Sequence, residues 1–173
     1  ALDSLAQLDP STAIPALAKA TKSEISTERQ RAWDTLAGID QPQATELIQQ
    51  GVIDYIADQL PADVWLNLLE AAKGRISADS QAALEAYQQR LVEVDPLAAY
   101  RASLHGGDAQ SGRDLFYNQA ELSCVRCHKV AEYGGEVGPN LTTIGNTKDA
   151  NYLLQSIVDP DAKIAENFET VIL

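Results

Sequence analysis

Over the first hundred residues prolines and glycines punctuate the chain at intervals that suit short helices joined by tight turns, and this punctuation constrains its fold more than any other feature. Gly38, Gly51 and Gly74 stand where helix C-terminal caps would stand, and Pro61 suits a first helical turn. The segments between them have apolar residues at helical spacing. Ala32, Trp33, Leu36 and Ala37 share one face of TERQRAWDTLAGI, in which Thr27 and Gln30 have capping-box spacing. QPQATELIQQG and VIDYIADQL read as two further helices. Val64, Leu66, Leu68 and Leu69 supply apolar surface to the next, and Leu84, Tyr87, Leu91 and Val94 recur by three and four over 79–94. Helices this short cannot bury their apolar faces alone, so they must stack on one another. Trp33 and Trp65 fall on apolar faces, the positions of core packing and not of a binding platform.

The expected class is mainly α. Only 6% of residues are aromatic, and Ala, Leu, Gln and Glu dominate where a sheet protein would show long β-branched runs. Lysine and arginine total 13 against 25 acidic residues, a formal net charge of −12 that repels a phosphate backbone or an anionic membrane. Nucleic acid is thereby excluded as a natural partner. An acidic surface serves solubility, and it could also steer encounter with a basic patch on another protein. No apolar run approaches the roughly 20 residues of a membrane span, and no basic-then-apolar signal segment opens the chain. The opening ALDSL reads as the start of an excised piece.

Near residue 105 the texture changes, which predicts one segment over 1–104 and a second over 105–173. Pro96 opens a helix expected to end at the Gly106-Gly107 pair, and Asp108 is placed to cap the next, AQSGRDLFYNQ. Beyond it come CVRCH, a glycine-rich loop EYGGEVGPNLTTIG, a helix KDANYLLQSIVDP with Thr147 as its cap, and a strand-like FETVIL.

The chemistry concentrates in SCVRCHKV, residues 123–130, which holds both cysteines of the chain, Cys124 and Cys127, followed at once by His128. A zinc site would want four ligands, yet there is no second cysteine pair, and His105 is the remaining histidine. A thiol redox centre would want its pair after a strand in an alternating βα pattern, and strands are lacking. The third reading is covalent haem. Two thioether bonds would anchor one edge of the porphyrin, and the next residue would carry an imidazole to the iron. The surroundings suit it. Leu115 and Phe116 would lie against the ring, and the carbonyl of Pro139 would accept the Nδ1 proton of His128. Leu141, Ile144, Tyr152, Leu153 and Ile157 would fill the remaining apolar wall.

These motifs taken in order, GRDLF…CVRCH…GGEVGPNLTTIG…NYLLQSIVDPDAKIAENFETV, resemble the single-haem cytochrome c domain at the C-terminal end of large dehydrogenases of planctomycetes and verrucomicrobia. The resemblance covers roughly residues 98–173. Over residues 10–95 the pattern AIPALAKA, WDTLAGI, QPQATELI resembles HEAT-like helical repeats, a segment that often precedes the haem domain in that family. The resemblance implies a small class I-like cytochrome c domain with one haem c. Cys124 and Cys127 would be the attachment residues, His128 the proximal ligand, and Gly138, Pro139 and Leu141 the pocket loop. It also implies a periplasmic or otherwise extracytoplasmic electron carrier that serves an attached or partner dehydrogenase. One departure stands out: the family supplies a methionine as second axial ligand after the FETV segment, and this chain has none. The expectation is a domain truncated at its C-terminus. His105 is the alternative histidine, while Lys129 and Lys148 could ligate only after losing a proton. Three readings stay open on sequence: an electron-transfer domain, a haem protein with an open iron position that senses gas or acts as a weak peroxidase, and an interaction scaffold with an ancillary haem.

Overall fold

The computed structural model describes residues 2–168, with side chains from residue 4 onward. It is mainly helical. The chain divides into two compact units, Ala1–Gly107 and Asp108–Leu173.

The first unit runs α1 (Leu2–Leu8), α2 (Pro10–Ala20), α3 (Ser26–Ala37), α4 (Pro42–Ile56), α5 (Trp65–Ala72) and α6 (Ala78–Val94), with 3-10 turns over Ala62–Val64 and Ala98–Leu104. Local chemistry starts these helices. Asp9 caps α2 by accepting from Thr12 N, with Pro10 at the first position, and Ser77 caps α6 by accepting from Ser80 N. Each of the first four helices packs on its successor and on the next but one. The apolar faces thereby close into one core in which Leu17, Leu36, Ile48, Val52, Val64 and Leu68 are fully buried. Each such side chain contributes about 1.5–3 kcal/mol of burial. Tyr55 of α4 meets Trp65 and Tyr87 edge-on, with centroids 5.5 and 5.4 Å apart, which ties α4 to α5 and α6.

Several sequence expectations change here. Gly51 caps nothing: QPQATELIQQG and VIDYIADQL form the single helix α4. The glycine is there for space, since a Cβ on it would lie 2.6 Å from Trp33 Cη2 and 2.7 Å from Leu68 Cδ1. The Thr27–Gln30 capping box does not form. Ile25 is the N-cap of α3, and Gln30 Nε2 instead donates to the Asp63 carbonyl at 2.7 Å. Val94 is 88% exposed, because the end of α6 runs past the core it was expected to cover. The segment after Pro96 is a 3-10 helix that ends before Gly106 and Gly107, whose φ values of 83° and 86° need residues without a Cβ.

The second unit holds α7 (Ala109–Asn118), the one-turn α8 (Cys124–Cys127), a hairpin of β1 (Lys129–Val130) with β2 (Tyr133–Gly134), then α9 (Ile144–Thr147) and α10 (Ala150–Val158). The strands are antiparallel, with Lys129 opposite Gly134 and Val130 opposite Tyr133. Asp108 caps α7, accepting from Gln110 N at 2.8 Å and from the Ser111 hydroxyl at 2.8 Å. Asp149, not Thr147, caps α10, accepting from Tyr152 N at 2.8 Å. Thr147 belongs to α9, where its hydroxyl donates to Ile144 O. Of the strand-like FETVIL only Phe168 lies within the described residues, and it is not in a strand.

The two units differ sharply inside. Among the described residues every buried hydrophobic one belongs to the first. No described residue of the second is buried, although it carries Leu115, Leu122, Val137, Ile157 and Ile164 at its surface.

Candidate functional site

The cysteine pair occupies the two ends of α8, a single helical turn entered through Ser123 at φ 51° and left at His128 in extended conformation. It comes after α7 and a turn, not after a strand, so the setting is not that of a thioredoxin-like pair. Both thiols are free, that of Cys124 half-buried and that of Cys127 exposed. Among the described residues no three His, Cys, Asp or Glu side chains are grouped to share a metal ion, so a four-ligand zinc set is not assembled.

The glycine-rich loop beyond the hairpin holds α8 in place. The backbone N–H groups of Gly135, Gly138 and Leu141 donate to the carbonyls of Val125, Cys127 and Lys129 at 2.9, 2.8 and 2.8 Å. This lacing brings the loop so close that side chains are barred from it. A Cβ at Gly135 would lie 2.0 Å from Arg126 O, and one at Gly138 would lie 2.7 Å from His128 Cε1. The imidazole therefore rests on Gly138, with Nδ1 2.9 Å from the Pro139 carbonyl. A carbonyl only accepts, so Nδ1 carries the proton of that bond, and in the neutral tautomer it is Nε2 that holds the free lone pair.

His128 forms part of the wall of a cavity of about 330 Å³. Of the residues picked out from sequence, Gly138, Pro139, Leu141, Ile144, Tyr152 and Leu153 line it too. Leu115, Phe116, Ile157 and the two cysteines, Cys124 and Cys127, do not. Phe116 packs edge-on against Tyr117 at 5.0 Å, and Ile157 is 80% exposed. The sequence reading missed the wall supplied by the irregular segment after α10, namely Pro160, Lys163, Ile164, Ala165 and Phe168, as well as Val137 and Ser156. The only signal there was the spacing of Ile164 and Phe168, which a loop does not make interpretable.

The alternative iron ligands fare differently. His105 is exposed and belongs to the first unit, at the end of its last 3-10 turn. Lys129 Nζ pairs with Glu136 at 2.9 Å, and that hydrogen bond and charge hold the Glu136 carboxyl below the usual carboxylate range. Lys148 lies over the ring of Tyr152. Among the described residues no helix is long and apolar enough to cross a membrane. No family model, curated protein or solved structure matches this chain.

Proposed function

We propose that the second unit is a covalent haem-binding module, and more narrowly a monohaem cytochrome c domain that relays electrons between proteins. The observation that carries this reading is a unit of some sixty described residues with no buried side chain, built around an apolar cavity whose wall includes the histidine of Cys-x-x-Cys-His. A domain needs a core, and in one this small a large flat apolar group bound in the cavity serves as much of it.

The residues fit such a group. Cys124 and Cys127 would hold it through thioethers, His128 Nε2 would bind its iron, and Leu141, Ile144 and Leu153 would lie against its apolar body. The cavity volume falls at the lower end of the about 300–1,000 Å³ typical of small-ligand sites, and it opens to solvent. Haem c supplies one-electron exchange between ferric and ferrous iron. The chain's own part is to keep the Nδ1 proton on the Pro139 carbonyl, which fixes the tautomer and raises the basicity of Nε2. Gly138 leaves room for the ring to take that orientation, and the apolar wall limits water around it.

Attachment of this kind occurs outside the cytoplasm, so the reading places the protein in the periplasm or another extracytoplasmic compartment, with a partner or attached dehydrogenase as electron donor. The ladder of contacts between each helix and its next two neighbours supports reading the first unit as a HEAT-like repeat adaptor. The test is a visible spectrum of the protein matured with the haem attachment machinery, oxidised and dithionite-reduced, then acid-acetone extraction. Haem retained by the protein supports the reading, and a colourless product overturns it.

A further inference from the structure

We infer that Lys148 and Lys163 form a carboxylate-binding pole at the Tyr152 wall of the cavity, where the two propionate groups of the haem are held. The inference rests on the haem reading and adds the end of the ligand that Cys124, Cys127 and His128 leave unaddressed.

The lining of the cavity departs from the acidic character of the chain. A chain with 25 acidic residues places none of them among the described residues lining this cavity, yet Lys163 lines it. Lys148, just past the end of α9, does not itself line the cavity but reaches one of its wall residues. Its Nζ lies 4.5 Å and that of Lys163 5.6 Å from the centre of the one Tyr152 ring, which is itself part of the wall. Two ammonium groups drawn to one aromatic ring repel each other, and the ring quadrupole offsets this only in part. Nearby carboxylates would be the ordinary remedy. Lys73 and Lys129 are neutralised in that way by Glu70 and Glu136, whereas among the described residues neither Lys148 nor Lys163 forms an ion pair. The other polar side chain of that wall, Ser156, donates to Tyr152 O and so is committed within α10. The site thus combines an apolar body, an imidazole and a doubly cationic end, which suits a planar apolar ligand with two carboxylates.

The first experiment uses the full chain with Cys124→Ala and Cys127→Ala, so that porphyrins bind reversibly through His128. Haemin and haemin dimethyl ester are titrated while the Soret band is followed. Two partly exposed ion pairs should make the diacid bind roughly 2- to 30-fold more tightly than the diester. Adding Lys148→Gln and Lys163→Gln should erase that difference. Equal affinities before the lysines are changed, or a preference that survives their removal, would overturn the inference. A second measurement does not depend on reversible binding. In protein matured with covalent haem, the carboxylate bands of the reduced-minus-oxidised infrared spectrum should shift on Lys148→Gln/Lys163→Gln. Unshifted bands overturn the inference and leave the haem reading intact, whereas a wild-type protein without haem overturns both.

Discussion

Arg75 should prove to be the residue that locks the end of α3 to the rest of the first unit, and Arg75→Met tests this. The guanidinium donates to Leu36 O and Ala37 O at 2.8 Å each, and also to Ile39 O and the Thr45 hydroxyl. The last carbonyls of a helix have no partner within it, and a cation there also meets the negative end of the helix dipole. Methionine keeps most of the aliphatic stem and removes every donor. A hydrogen bond to a charged group is worth about 1.5–3 kcal/mol when its partner is left buried. Ala37 O lies at the surface and recovers water, while the carbonyls of Leu36 and Ile39 are part-buried and recover less. The expected loss is therefore about 2–4 kcal/mol, counted as one to two such bonds. For a unit near 100 residues this corresponds to a fall in Tm of roughly 10–25 °C. The assay is thermal and urea unfolding of the full chain followed by tryptophan fluorescence, since Trp33 and Trp65 both report on the first unit. Arg75→Lys should recover less than half of the loss, because an ammonium cannot span four acceptors as a planar fork does. A loss below about 0.5 kcal/mol, the usual range for a surface substitution, would refute the account of this arginine as a clamp.

Gly51→Ala should destabilise the first unit by about 1–2 kcal/mol, with overpacking against Trp33 and Leu68 exceeding the helix-propensity gain of up to about 1; a stabilised variant in urea unfolding would contradict that packing. If the second unit binds haem as proposed, Gly138→Ala, which puts a methyl group into the imidazole of His128, should lower the haem content or low-spin character of the matured protein, so an unchanged visible spectrum would count against the site geometry. Asp63 provides a pH test. Burial pushes its carboxyl up, but hydrogen bonds from Ser26 and Arg29 and the Arg29 charge outweigh this and hold it below the ordinary value of 3.8. Between the lowered folded value and 3.8 the unfolded chain binds more protons. The stabilisation is thus complete above 3.8 and is lost as pH falls through the folded value. Asp63→Asn should show a stability deficit that is constant near neutrality and closes in acid; a deficit that widens in acid would reverse the sign of this argument.

Legibility from sequence tracked the range of the interactions involved. Asp108 at the start of α7 and the turn that joins Cys124 to His128 depend on groups a few residues apart, and they can be read wherever the chain goes. The same holds for the apolar spacing that fills the core with Trp33, Leu36 and Leu68. Choices between near-equal local options were harder. Thr147 and Asp149 are both acceptable caps, and the end of α9 took the first into its own turn.

The residues themselves dictate helices, their approximate starts, the acidic surface and the chemistry available at Cys124, Cys127 and His128. Whether Gly51 ends a helix or admits a tryptophan depends on a helix 18 residues earlier in the chain, counted from Trp33. Arg75 finds carbonyls 36 to 39 residues away. The cavity wall from Pro160 to Phe168 depends on the path of an irregular segment with no period to read. Hydrogen bonding and periodicity act over a turn or two and leave a local trace, whereas packing selects among chain paths by contacts between distant residues, and no single segment records that selection.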